Sequence, residues 1–64
     1  MNIGPAIKNM QTKGNKITRV AYDGKSHIEM RKGEMVRVRK NGTVSRARFM
    51  SEDVVANDWK VKKV

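Results

Sequence analysis

The residues of this sequence best suited to chemistry are the arginines of one stretch, MVRVRKNGTVSRARF. Arg37, Arg39, Arg46 and Arg48 occupy alternate positions on either side of an Asn-Gly pair. A guanidinium presents a planar fork of N–H donors that fits a phosphate or a carboxylate, whereas a lysine presents only a point charge. The whole chain has 15 basic and six acidic residues, a formal net charge of +9. This balance predicts an anionic partner, because a merely solubilising surface mixes the two signs more evenly.

Two hairpins must position these arginines if they are to act together. Asn41 and Gly42 predict a two-residue type I′ turn, because both residue types tolerate the positive φ angles which that turn requires. This turn pairs Arg37 with Arg46, and Arg39 with Val44. The two strands then have an apolar side, Val36, Val38, Ala47 and Phe49, and a basic side, Arg37, Arg39, Arg46 and Arg48.

The preceding hairpin is predicted to have a three-residue loop at residues 32–34, with a glycine at its centre. That loop places Ile28 opposite Val38 in the core, and Glu29 opposite Arg37. A two-residue loop is disfavoured because it sets Ile28 against Arg37. The basic face then gains three further neighbours: Arg31, Glu29 as its one acid, and His27 as a bystander.

The segments around the hairpins predict an α+β fold. Apolar residues at helical spacing over residues 3–10, with Pro5 in the first turn and Gly14 as a stop, predict an N-terminal helix. Antiparallel strands follow, then a short helical turn that begins at Ser51, and a last strand, WKVKKV. We expect a single domain over residues 1–64, in which the helix packs on a small antiparallel sheet of about four to five strands.

The composition disfavours several classes of function. The chain has no cysteine, a single histidine and no glycine-rich phosphate loop, so we expect no metal centre, no cofactor and no enzyme. No apolar run is long enough to cross a bilayer, and the start does not resemble a signal peptide, so we expect a cytoplasmic protein without a membrane partner. A chain of this length buries only about 60% of its surface, which favours a homo-oligomer.

Two blocks resemble a family of phage proteins. TRVAYDGK, residues 18–25, and SEDVVANDWKV, residues 51–61, resemble the two signatures of the second type of Thoeris anti-defence protein, and the N-terminal helix resembles its opening helix. The resemblance implies a small α+β protein that forms dimers or tetramers in the cytoplasm of a bacterial host. It further implies that this protein sequesters a cyclic nucleotide signal, such as a cyclic ADP-ribose derivative, without cleaving it.

The resemblance also implies roles for individual residues. Tyr22 falls at the position of the family's aromatic residue and is expected to stack on a purine, with Asp23, Gly24 and Lys25 beside the ligand. Lys25 and the hairpin arginines are expected to neutralise phosphates. In the closing block, three residues are expected to be structural: Asp53 and Asp58 in the turn, and Trp59 as an anchor in the core or in a subunit interface.

Two functions therefore remain open from the sequence. The first is a non-enzymatic phage protein that sequesters a nucleotide-derived immune signal, either cyclic ADP-ribose-like or a cyclic dinucleotide. The second is a small basic phage inhibitor or accessory protein that binds an acidic host protein or a nucleic acid through the arginine-rich sheet face.

Overall fold

A helix packs on one face of a five-stranded antiparallel sheet, which confirms the α+β class and the order of elements. The computed structural model describes residues 1–63, so the last residue of the predicted final strand, Val64, lies outside the described residues. The elements are α1 (Ile3–Lys13), β1 (Lys16–Arg19), a 3-10 turn (Val20–Tyr22), β2 (Ser26–Arg31), β3 (Glu34–Arg39), β4 (Val44–Arg46), α2 (Ser51–Val55) and β5 (Trp59–Lys62). The strand order is β4-β3-β2-β1-β5, so the chain returns to pair its last strand with its first.

The helix α1 forms where the apolar spacing predicts it. Its stripe buries Ala6 and Met10 completely. Gly14 ends the helix with φ at 69°, a left-handed conformation that glycine adopts without steric cost, and its N–H donates to the Met10 carbonyl. The helix lies mainly over β1, β2 and β5. Consequently β3 and β4 extend beyond the part of the sheet that the helix covers.

The core is built around the single tryptophan. Trp59 is only 1% exposed and lies with Ile17 and Ile28 beneath α1. Its ring makes edge contacts with Tyr22 at 5.9 Å and Phe49 at 6.0 Å between ring centroids. Within residues 1–63, no helix is long and apolar enough to cross a membrane.

The predicted register of the β2–β3 hairpin is wrong. The loop has two residues, Lys32 and Gly33, and both take left-handed φ angles of 51° and 79° as a type I′ turn requires. Ile28 therefore pairs with Arg37. This is the pair for which the sequence analysis disfavoured a two-residue loop, because it sets an apolar residue against a charged one. The fold accepts it because the Arg37 side chain lies along the ring of Tyr22, so its guanidinium is not embedded among the apolar groups of the core.

The predicted register of the β3–β4 hairpin is also wrong, by one residue in the opposite sense. Val36 pairs with Arg46, so the loop has three residues, 40–42. Asn41 does not take a left-handed φ angle; instead its Oδ1 accepts a hydrogen bond from the Thr43 N–H at 3.0 Å. Gly42 alone takes a positive φ, 89°, as the left-handed residue that follows a type I turn in three-residue hairpins.

These two corrections change which residues share a face. Val36 and Val38, predicted as core, lie on the face of the sheet turned away from α1, which we call the open face. Within β2, β3 and β4, direct cross-strand pairing places eight side chains on it: His27, Glu29, Arg31, Glu34, Val36, Val38, Val44 and Arg46. Arg37 and Arg39 lie on the helix side, since their cross-strand partners are the buried residues Ile28 and Ser26. Of the predicted apolar side, Ala47 and Phe49 do pack against the core.

Candidate anion-binding site

Arginines from β3, from β4 and from the segment after β4 surround a cleft at the uncovered end of the sheet. This arginine cleft has a volume of about 300 Å³, and five residues line it: Arg37, Arg39, Ser45, Arg46 and Arg48. The predicted single basic face is wrong, because Arg46 belongs to the open face by register and Arg48 follows the strand. Four of the predicted arginines nevertheless meet, since β4 is a short edge strand whose long side chains reach around the edge.

Arg37 is the most firmly held of the four. Its Cζ lies 4.5 Å from the centroid of the Tyr22 ring, a cation–π distance, and its Nε donates to Ser26 Oγ at 3.1 Å. Ser26 is itself buried, and its carbonyl accepts from Thr18 Oγ1 at 2.8 Å. These contacts engage the face and the Nε of the guanidinium, which leaves its two terminal amino groups for a ligand.

Two other arginines of the cleft have fewer contacts and are exposed. Arg39 Nη1 donates to Ser45 Oγ at 3.0 Å on the neighbouring strand. The Arg46 side chain is 80% exposed, and its Nη2 lies 3.8 Å from Glu34 Oε1. An exposed pair at that distance contributes little to stability. No carboxylate is among the residues that line the cleft, and its positive potential is offset only weakly, by the exposed Glu34 next to Arg46.

Glu29, predicted as the internal counter-ion of the arginines, lies elsewhere. It is on the open face, where His27 Nε2 lies 2.7 Å from Oε1 and Arg31 Nε donates to Oε2 at 3.0 Å. These hydrogen bonds, from His27 first and then Arg31, hold the pKa of Glu29 below its usual value. Arg31 therefore does not line the cleft, and Glu29, which the predicted register places opposite Arg37, does not line it either.

Tyr22 is half-buried and fully engaged by its neighbours. Its hydroxyl donates to Asp53 Oδ1 at 3.0 Å, its edge contacts Trp59, and Arg37 covers its face. Burial, followed by the hydrogen bond to Asp53, raises the pKa of Tyr22 to about 12. The ring therefore supports Arg37, and a purine could stack on that face only if the guanidinium moved away.

The three residues after Tyr22 form a turn outside the arginine cleft. Asp23 and Gly24 take left-handed φ angles of 53° and 73°. They border a separate shallow hollow together with Lys60 and Lys62. Lys25 contributes its main chain, with its N–H donating to the Tyr22 carbonyl and its carbonyl accepting from the Lys40 N–H. None of the three lines the cleft where the arginines meet.

The acids of the closing block bind a residue that the sequence analysis did not single out, Arg19. Its Nη1 lies 2.7 Å from Asp53 Oδ1, and its Nε lies 2.7 Å from Asp58 Oδ1. The hydrogen bonds that Arg19 donates, to Asp58 first and then to Asp53, raise the pKa of Arg19. The only signals were the arginine in TRVAYDGK and two acids next to the tryptophan, since the partners lie 34 and 39 residues apart in the chain.

Asp53 is the centre of this acidic turn and is only 3% exposed. Its Oδ2 accepts from the Met50 N–H at 2.9 Å, which caps α2, and its carbonyl accepts from Trp59 Nε1 at 3.0 Å. Burial raises the pKa of Asp53, but the hydrogen bonds from Arg19, the Met50 N–H and the Tyr22 hydroxyl outweigh it, and the pKa lies below the usual value. The hydrogen bond from Arg19 likewise lowers the pKa of Asp58.

Comparisons with known proteins add no relative. No protein-family model matches the chain, and no curated protein or solved structure matches it either. The geometry of the arginine cleft and its surroundings therefore supplies the basis for a proposed function.

Proposed function

We propose that this protein is a non-enzymatic binding protein that sequesters a nucleotide-derived signal through its phosphates in the arginine cleft. The observation that carries the proposal is the composition of the lining: Arg37, Arg39, Arg46 and Arg48 with Ser45, and no carboxylate. Bidentate, charge-assisted hydrogen bonds from arginine are among the strongest that proteins make to phosphate. The volume of about 300 Å³ is at the lower end for ligand sites, so the cleft fits the phosphates and part of a nucleotide.

The resemblance of TRVAYDGK and SEDVVANDWKV to the second type of Thoeris anti-defence protein supports the same proposal. It favours a phage protein acting in the cytoplasm of a bacterial host, with a cyclic ADP-ribose derivative or a cyclic dinucleotide as ligand. It also favours a homo-oligomer, a dimer or a tetramer, in which a second subunit encloses the part of the ligand that one cleft leaves exposed. The absence of a positioned nucleophile in the lining is in keeping with capture of the ligand without cleavage.

Thermal unfolding with a panel of ligands tests the proposal. At a ligand concentration of a hundred times Kd, binding stabilises the folded state by about 2.7 kcal/mol, which raises the Tm of so small a domain by roughly 10–20 °C. The panel contains cyclic ADP-ribose isomers, cyclic dinucleotides and linear nucleotides. Native mass spectrometry of the loaded protein gives the number of subunits, and denaturation should return the ligand intact. No shift with any member, or recovery of a cleaved product, contradicts the proposal.

A matched pair of variants separates the cleft from the general charge of the protein. The variant R46S/R48S removes two cleft arginines, and K60S/K62S removes two lysines from β5 at the opposite edge of the sheet, so both lose the same charge. Only R46S/R48S should abolish the thermal shift. Equal losses in both variants mean that the ligand responds to net charge rather than to the cleft.

A second candidate function is favoured by basic residues outside the cleft. Lys16 and Lys62 lie directly opposite each other on β1 and β5, and Lys60 is opposite Thr18 two residue pairs further along. Together with the exposed Arg46 they extend the basic surface beyond what a small ligand needs. This wider surface suits an acidic host protein or a nucleic acid.

Salt dependence identifies that second function. If a nucleic acid is the partner, the logarithm of the affinity should fall with the logarithm of the salt concentration, with a slope of about −0.9 for each phosphate neutralised on duplex DNA. Mobility shifts with DNA and RNA measure the slope, and a pull-down from bacterial lysate tests for an acidic protein. Here K60S/K62S and R46S/R48S should both weaken binding, the opposite of the pattern expected for a small ligand.

A further inference from the structure

We propose that Tyr22 is a positioning residue that holds Arg37, and that the arginine cleft consequently recognises phosphate groups without selecting a nucleobase. This inference rests on the proposed function and specifies the class of ligand: any compact, multiply charged phosphate compound, whatever its base. It differs from the sequence-based expectation, in which Tyr22 stacks on a purine.

The face of the Tyr22 ring is already occupied by a guanidinium. Arg37 Cζ lies 4.5 Å from the ring centroid, and Arg19 Cζ lies 5.7 Å from the same centroid. The edge of the ring contacts Trp59, and the hydroxyl is committed to Asp53. A base that displaced Arg37 would break its cation–π contact and its hydrogen bond to Ser26, and would remove one of the four cations that hold the phosphates.

No other aromatic ring replaces Tyr22 at the cleft. Trp59 is 1% exposed, and Phe49 packs edge-on against it. The lining of the cleft consists of arginines and one serine. Without a ring to stack on, a base would have to be recognised through hydrogen bonds alone, and flexible exposed guanidinium groups such as that of Arg46 do not fix such a geometry.

Tyr22 connects Arg37 to the rigid part of the fold. The hydroxyl of Tyr22 binds Asp53, which caps α2, and Arg37 also binds the buried Ser26. Arg37 is thereby held at a fixed place on the floor of the cleft, whereas Arg46 at the rim is exposed. A pre-positioned guanidinium loses less conformational entropy when a phosphate binds, so the ring contributes to affinity without touching the ligand.

A panel of bases tests the selectivity with the unaltered protein. Isothermal titration with ATP, GTP, CTP, UTP and inorganic triphosphate should give affinities within about threefold of one another, because phosphate contacts carry no base information. GTP is the most demanding member, since arginine binds guanine through two hydrogen bonds. A preference of about tenfold or more for one base, the size expected of a direct base contact, overturns the inference. Absence of binding by every member also overturns the inference if a cyclic ligand of the thermal panel binds, and contradicts the proposed function if none of those binds either.

Variants test the positioning role. The variant Y22F keeps the ring under Arg37 but loses the hydrogen bond to Asp53, so it should weaken the binding of inorganic triphosphate less than Y22L does. The variant Y22L removes the ring and should weaken binding about fivefold to thirtyfold, the range of cation–π strengths. Phe49→Leu is the matched control, because it removes the other ring that contacts Trp59 without touching Arg37, and it should bind as the parent does.

A double-mutant cycle isolates the link between the two side chains. In an R37Q background, Y22L should cause no further loss of affinity, because the group that the ring positions is gone. If Y22L weakens triphosphate binding equally in both backgrounds, Tyr22 acts in some way other than through Arg37, and the inference is wrong. Should Y22L fail to fold, the base panel decides the selectivity, and Y22F measured in the parent and R37Q backgrounds decides the positioning role.

Discussion

The arginines of two regions of this molecule differ in whether acids surround them. In the acidic turn, one guanidinium, that of Arg19, contacts two carboxylates at 2.7 Å, and both partners belong to the closing block of the chain. In the arginine cleft, four guanidiniums meet with no carboxylate in the lining. The first arrangement satisfies its charges within the fold and so stabilises it. The second has no acid in its lining to offset its charges, as the proposed binding function requires. The difference shows that residue type alone does not separate structural from binding arginines; the location of the acids does.

The largest loss of stability is expected from the substitution D53N in the acidic turn. It removes the negative charge that Arg19 and Tyr22 bind, and it weakens the cap on α2. Breaking a buried ion pair from one side costs about 3–5 kcal/mol, which is comparable to the whole stability of a small domain. Urea unfolding followed by the emission of Trp59, the single tryptophan, measures the loss. A loss of less than about 1 kcal/mol contradicts the structural role given to this turn.

Acid should act on the same turn, but less completely. Asp53 and Asp58 both have a pKa below the usual value, so they contribute stability that is present above the unfolded-state pKa of about 4. That stability is lost as the pH falls through the lower folded-state values, and the free energy of unfolding should decline from about pH 5 downward. Glu29 on the open face contributes in the same direction. Comparison with the variant E29Q removes its share, and the decline should persist there.

Alkali should produce a smaller effect at the junction of the two regions. The pKa of Tyr22 is raised to about 12, so its stabilising contribution is complete below the unfolded-state value of about 10 and is lost as the pH rises from there toward 12. Since the residue is only half-buried, solvent screening limits the loss to about 1–2 kcal/mol. Because Tyr22 is the only tyrosine, its phenolate absorbance reports the titration directly. The variant Y22F should lack this alkaline loss.

The smallest effect on stability is expected in the cleft. R46S/R48S removes two exposed positive charges that have no buried partner, so the free energy of unfolding should change by no more than about 0.5 kcal/mol. Binding of inorganic triphosphate should fall at the same time by about tenfold or more, since charge-assisted contacts are lost. A large change in stability with unchanged binding reverses the roles assigned to the two regions.

Much of the fold was predictable from local sequence signals. Pro5 in the first turn, Gly14 at the end and the apolar spacing between them predict α1 correctly, and Asn41-Gly42 correctly predicts a hairpin. Both hairpin registers were wrong, for one physical reason. The alternation predicts Val36 and Val38 in the core, yet the cross-strand pair Met30 and Met35 supplies the core contacts of this hairpin, so the two valines lie on the open face.

Of the candidate site, the sequence predicted that four arginines meet, but not the geometry of their meeting. Arg37, Arg39, Arg46 and Arg48 do meet, although they do so around a sheet edge rather than on one face. The sequence could not reveal that Arg37 occupies the face of Tyr22, because that contact depends on a 3-10 turn packing beside β3. Likewise, the pairing of Arg19 with acids more than thirty residues away is a long-range contact, and no local pattern encodes it.

Because α1 covers only part of the sheet, the tip of the β3–β4 hairpin lies outside the core. The turn at residues 40–42 and Val44 are exposed and do not belong to the residues that pack against the core, whereas Ala47 and Phe49 secure the return of the chain into it. We therefore expect the side chains of residues 41–43 to be replaceable without repacking of the interior. This short tip is the part of the scaffold that should tolerate the widest range of substitutions.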